Sequence, residues 1–218
     1  MLLEQALSGQ GTATMAVSGG STPALWFREL VDLDLDWSRI HLFWVDERAV
    51  PPTHERSNYA GAKAAFLDPS GIPSSNIHRM RAEASDLAIA AMDYEAELRD
   101  SVRLKLGGVP ALDLVVLGIG DDGHTASLFP GDATLFVTDK LVAPVPAAGQ
   151  REARLTLTSP VLESARATVV IVLGASKHPA LERVWAASGD LRETPARVIR
   201  GCRGSVTWVI DRAAGGMG

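Results

Sequence analysis

The sequence predicts an α/β fold, a mostly parallel sheet with helices on both faces. Three observations carry that expectation. Apolar runs at residues 13–17, 40–45, 112–117, 167–173 and 206–210 have the continuous hydrophobicity of strands buried on both sides. Helical patterns lie between most of them, and strands alternating with helices build parallel βαβ units. No internal repeat, low-complexity tract or long linker interrupts the order. Residues 1–218 are therefore expected to form a single domain, near the upper end of what one domain holds.

The first eleven residues, MLLEQALSGQG, carry Glu4 and only a short apolar stretch, which supports neither a signal peptide nor a targeting helix. No apolar run approaches the roughly 20 residues needed to span a bilayer. Cys202 is the only cysteine, so no internal disulfide can form, and a cytoplasmic setting is the expectation. The thiol sits between arginines in RGCRG but has no partner histidine nearby, so it reads as structural. A formal net charge of -5 gives no basic excess of the kind that binds nucleic-acid backbones. An anionic ligand would have to be met by a few placed cations or helix ends. Nucleic acid and membrane are not expected partners, and protein partners are left open.

After the first run comes Ser18-Gly19-Gly20-Ser21-Thr22-Pro23, with Thr22 suited to an N-cap and Pro23 to the first turn of a helix over 23–31. Gly19 and Gly20 let the backbone approach a ligand, and Ser21 and Thr22 add hydroxyls at the positive end of a helix, where a phosphate fits. A tight turn before a well-capped helix would explain the same residues. The loop lacks the Gly-Lys-Ser/Thr ending of a Walker A motif and is not a G-x-S-x-G elbow.

The second run ends in Asp46-Glu47-Arg48 and a long Pro-containing stretch to a helix over 58–67. Arg48 offers a fork of donors for an oxyanion; a solvated ion-pair cluster with Asp46, Glu47, Glu55 and Arg56 is the bland alternative. His54-Glu55 begins like HExxH, but Asn58 occupies the second histidine's place, so no zinc site is expected. The clearest helix starts near Ser85 as N-cap, aligns Leu87, Ala91, Tyr94, Leu98 and Val102 on one face, and stops by Gly107 and Gly108.

The third loop, Gly118-Ile119-Gly120-Asp121-Asp122-Gly123-His124, matches G-x-G-x-x-G. Pro130 allows only a short helix beginning at His124, too short for a dinucleotide crossover, and no acidic residue follows at the needed spacing. His124 is then the residue to explain. A histidine with near-neutral pKa can take a proton from water and return it to a leaving oxygen, and Asp122 is close enough to fix its tautomer. Shorter helices fit 160–164 and 176–187. Lys177 falls in the first turn of the latter, mildly unfavourable there by about 0.3–1 kcal/mol unless an anion binds. Arg154, before a short strand in RLTLTSP, could face the pocket or solvent.

In order and spacing, SGGSTP, VDERAVPPTHERSNY, GIGDDGHTASLFP and the late GASK resemble the 6-phosphogluconolactonase family, within the glucosamine-6-phosphate isomerase/6-phosphogluconolactonase superfamily. The resemblance implies a fold related to those of glucosamine-6-phosphate deaminase and ribose-5-phosphate isomerase. It also implies hydrolysis of 6-phospho-D-glucono-1,5-lactone to 6-phosphogluconate in the oxidative pentose phosphate pathway, with no metal or organic cofactor. Family members usually carry a further strand and most of a helix ahead of SGGSTP, where this chain has 17 residues. In the deaminases the third loop resembles DGHIAFNEP, whose Glu helps open the sugar ring; Phe129 stands in that place here. Carried onto this sequence, His124, Asp122 and Asp46 would be catalytic. Gly19, Gly20, Ser21, Thr22, Arg48, Gly120, Gly123 and Lys177 would bind substrate. A sugar-phosphate isomerase or deaminase, and a non-catalytic sugar-phosphate binding protein, are the alternative expectations.

Overall fold

A computed structural model describes residues 2–217, with the side chains of Leu2 and of residues 21–25 outside the described set. In chain order the elements are α1 (Leu2–Gln10), β1 (Ala13–Val17), α2 (Ser21–Val31), β2 (Ile40–Trp44), β3 (Asp46–Arg48), α3 (Asn58–Ala62), α4 (Asp68–Ser70) and β4 (Ile77–His78). There follow α5 (Leu87–Ser101), β5 (Lys105–Leu106), β6 (Val109–Pro110), β7 (Leu114–Leu117), β8 (Val142–Val145), β9 (Arg154–Leu157), α6 (Ser159–Ser164), β10 (Ala167–Val172), α7 (His178–Trp185) and β11 (Ser205–Ile210).

Six strands form a fully parallel sheet in the order β11-β10-β7-β1-β2-β4. The five predicted strands are all present, and the four inner ones are almost wholly apolar, as burial on both faces requires. Val17, Trp44, Leu117 and Val172 end their strands on one side of the sheet, where ligands bind in such folds. The sixth strand, β4, is two residues long and too short to leave a pattern. A second sheet, β3-β9-β8, is antiparallel and pairs Asp46 with Thr156 and Arg48 with Arg154. It hangs the DER segment over the end of the main sheet.

Local chemistry moved several predicted boundaries. Helix α2 begins at Ser21 with Gly20 as N-cap (φ 110°), not Thr22, because only a glycine takes that backbone turn without strain. In α5 the cap is Asp86 rather than Ser85; its carboxylate accepts the amides of Ala88 and Ile89 at 2.8 and 3.2 Å. That helix ends at Ser101, and Gly107 and Gly108 turn the β5-β6 hairpin instead. The 58–67 helix forms with Ser57 as N-cap and becomes a π turn over Lys63–Leu67. No helix follows His124: Thr125 and Leu128 form a bridge, and Ala126 takes a left-handed φ of 51°. The Thr125 hydroxyl donates to Gly118 O at 2.9 Å and the Ser127 amide to Thr156 Oγ1 at 3.1 Å, so the local donors are spent on tertiary bonds.

Candidate active site

The carboxyl ends of β1, β2, β7 and β10 frame a cleft of about 180 Å³. That is smaller than the roughly 300–1,000 Å³ of drug-sized ligand pockets, and its walls are rich in charged and glycine residues. It suits a small polar molecule. Gly19 and Gly20 line it after β1, Asp46 and Arg48 after β2, Gly120 and His124 after β7, and Lys177 after β10. The cleft thus gathers residues from all four predicted loops.

His124 Nδ1 lies 2.6 Å from Asp122 Oδ1, and the same oxygen accepts the His124 amide at 3.0 Å. Partial burial would raise the Asp122 carboxyl, but the bonds from the ring and amide of His124 outweigh it and bring it down to about 2. Asp122 is thus a carboxylate acceptor, which puts the proton on Nδ1 and leaves Nε2 as the basic nitrogen. Gly120 makes the pairing possible. A Cβ there would fall 2.0 Å from His124 Nδ1 and 2.7 Å from Asp122 Oδ1.

Gly123 does not line the cleft, contrary to its predicted contact with substrate. At φ 93° it turns the loop, its amide donating to Gly120 O at 2.9 Å, and it backs onto Thr194. The side chains of Ser21 and Thr22 lie outside the described residues. Gly19 touches Asn58 so closely that a Cβ would sit 1.9 Å from its Oδ1, which ties the first loop to the second.

Asp46 is buried among polar partners. Ser127 Oγ donates to its Oδ2 at 2.6 Å, Arg154 Nη1 lies 3.5 Å from the same oxygen, and Asn58 Nδ2 donates to its carbonyl at 2.8 Å. Glu47 is spent on the loop itself. It accepts the amides of Arg48, Asn58 and Tyr59 and the Ser57 hydroxyl, all within 2.9 Å, while burial raises its carboxyl. It therefore takes no part in a solvated ion-pair cluster. Arg48 donates to Arg56 O at 2.5 Å, and His54 accepts the Arg56 amide, an ordinary loop contact. Among the described residues, no group of three or more His, Cys, Asp or Glu is arranged to hold a metal ion.

Lys177 closes a short 3-10 turn just before α7 and pairs with Asp121 at 2.7 Å. The Lys177 hydrogen bond lowers the Asp121 carboxyl. Sequence reasoning singled out neither Asp121 nor Ser127. Asp121 had no visible partner 56 positions away, and Ser127 looked like any small residue in a turn. Arg154 does line the cleft, and burial lowers its guanidinium.

A model of the glucosamine-6-phosphate isomerase/6-phosphogluconolactonase family matches residues 1–208. The chain belongs to this family. A 6-phosphogluconolactonase from Synechocystis is 42% identical, with 98% of this chain and 88% of that protein covered. The crystal structure of 6-phosphogluconolactonase from Leishmania guyanensis superposes with a TM-score of 0.85 at 30% identity, covering 98% of this chain and 90% of that one. A monomeric glucosamine-6-phosphate deaminase, at 20% identity and a TM-score of 0.80 over 98% and 91% of the two chains, shares the fold. The glucosamine-6-phosphate isomerase/6-phosphogluconolactonase fold accounts for the parallel sheet, and its cleft is lined by His124, which Asp122 holds.

Proposed function

We propose that this chain, acting as one domain, hydrolyses 6-phospho-D-glucono-1,5-lactone to 6-phosphogluconate, the lactonase step of the oxidative pentose phosphate pathway. The observation that carries the reading is an imidazole whose Nδ1 is fixed on a carboxylate, in a cleft bordered by Arg48, Arg154 and Lys177. Curated relatives at 41–42% identity bear the name 6-phosphogluconolactonase. A cytoplasmic setting goes with this role, and among the described residues no helix is long and apolar enough to cross a membrane.

His124 Nε2 takes a proton from water as the water oxygen attacks the lactone carbonyl carbon. The carbonyl electrons move onto oxygen, and the tetrahedral oxyanion is met by the Arg48 guanidinium at the rim of the cleft; one preorganised donor is worth about 3–4 kcal/mol. Collapse re-forms the carbonyl and breaks the bond to the ring oxygen, which takes the proton back from His124. The product acid then ionises. Asp122 orients the imidazole throughout, and Asp46, clamped by Ser127 and Arg154, presents its carboxylate to sugar hydroxyls. Gly19, Gly20, Ser21 and Thr22 at the start of α2, with Arg48 and Lys177, hold the phosphate; Lys177 then exchanges Asp121 for the substrate.

Phe129 beside His124 supplies no acid for sugar-ring opening, which favours hydrolysis over isomerisation or deamination. The test is lactone hydrolysis above the spontaneous rate, run beside glucosamine 6-phosphate. Ammonia release without lactonase activity would overturn the reading, and binding of sugar phosphate without turnover would leave a binding protein.

A further inference from the structure

Phe129 is buried yet stands outside the continuous hydrophobic cluster of the core. Its ring neighbours are instead an imidazole and two cations. The His124 ring centroid lies 4.5 Å from its own at a 37° tilt, and the guanidinium carbons of Arg151 and Arg154 lie 3.9 and 5.2 Å from the same centroid. Both guanidiniums are anchored by carboxylates as well, Arg151 on Asp132 at 2.6 Å and Arg154 on Asp46 at 3.5 Å. The Nε atoms of both arginines are buried without a hydrogen-bond partner, which fits groups laid against an aromatic ring.

We propose that Phe129 is a positioning residue for the reaction: its ring fixes the plane of the His124 imidazole and stabilises the imidazolium formed when His124 takes a proton. The second half rests on the hydrolytic role given to His124; the ring contact does not. A hydrogen bond from Nδ1 to Asp122 fixes one atom of the ring and leaves its plane free, and Phe129 supplies the second constraint. The aromatic face is electron-rich and attracts cations within about 6 Å. Protonating His124 adds a positive charge beside Arg151 and Arg154, and the shared ring offsets that cost.

The other charged groups around the imidazole are Asp122 on its own loop, Asp46 and Arg48 from β3, and Lys177 with its partner Asp121. Arg183 of α7 reaches the loop too, donating to Asp121 O at 3.2 Å. Among these, Asp46 alone is tied to Phe129, through the Arg154 guanidinium that lies on the ring.

The experiment follows the His124 Cε1–H NMR titration, with kcat and KM against pH, in four proteins: wild type, Phe129→Leu, Phe129→Tyr, and pentafluorophenylalanine at position 129. The fluorinated ring keeps the shape and reverses the charge distribution of the face, and it carries the test if the leucine variant fails to fold. In the leucine and fluorinated proteins the His124 midpoint and the acidic limb of kcat/KM move to lower pH by about half a unit. With leucine, kcat falls about tenfold while KM changes less than about twofold, and tyrosine restores most of it. A wild-type titration in the fluorinated protein overturns the proposal. So does equal loss in the leucine and tyrosine variants with the midpoint unmoved, which would make Phe129 packing alone. If the wild type folds and titrates but hydrolyses no lactone, the functional reading fails while the NMR midpoints still decide the role of the ring.

Discussion

One carboxylate oxygen of Asp122 holds His124 twice, through the ring nitrogen at 2.6 Å and through the backbone amide at 3.0 Å. The second bond matters because it fixes the loop on which the ring stands. His124→Ala is expected to lower kcat by about 10²–10⁴-fold, the usual worth of a positioned base. Asp122→Asn keeps the shape but no longer fixes Nδ1–H, and should cost a substantial part of that loss. Because Asp122 ionises near 2, it is charged across the working range. Ionisation of Asp122 should therefore add no step to kcat/KM across that range, either in the wild type or in the residual activity of His124→Ala. A pH–rate profile of both proteins checks this.

Gly120→Ala tests the geometry without touching either partner. The new methyl would occupy the space of His124 Nδ1 and Asp122 Oδ1, so the imidazole must leave its present position. Displacement of a catalytic group by about 1 Å costs on the order of 100-fold in rate. The variant should bind phosphate with near-normal affinity and show a kcat at least about 100-fold down, measured by steady-state turnover beside phosphate titration.

Lys177→Met addresses the anion. Loss of a charge-assisted hydrogen bond is worth about 1.5–3 kcal/mol, or roughly 10–150-fold. The loss should fall on KM more than on kcat, because Lys177 is assigned to the phosphate and not to the reacting carbonyl. Asp121→Asn frees the ammonium from its resting partner, so KM should fall modestly or hold. A kcat effect larger than the KM effect in Lys177→Met would move that lysine out of the phosphate site.

Much of this site was legible in the sequence because its parts are local. Glycines at 19, 20 and 120, and the spacing of Asp122 and His124, are determined within one turn of chain, and the loops follow apolar runs that could only be buried strands. What stayed hidden joins distant segments. Asp46 meets Ser127 across 81 positions, and Asp121 meets Lys177 only because β7 and β10 are neighbours. The antiparallel β3-β9-β8 sheet likewise arises from three- and four-residue strands whose pattern is too short to read. The missing helix after His124 has the same origin: tertiary bonds from Thr125 and Ser127 overrode a helical pattern that Pro130 had already made short.

A last prediction concerns stability, on the β2-β4 side of the sheet. His41 Nδ1 and His78 Nε2 are 3.0 Å apart, and the His78 ring stacks on Phe43 at 4.3 Å. Such a pair shares one proton and has little room for two. Burial, helped by the neighbouring His41, lowers His78 from the usual 6.5 to about 4, and burial also lowers His41. The sign follows from linkage. Below 6.5 the unfolded chain takes up a proton that the folded chain refuses until about pH 4, so the contribution is complete above 6.5 and is lost as pH falls through that interval. Urea unfolding at several pH values between 7 and 4 should show declining stability. His78→Phe, which keeps the stack on Phe43 and removes the titration, should flatten the decline; an equally steep decline in the variant would assign the acid sensitivity to other groups.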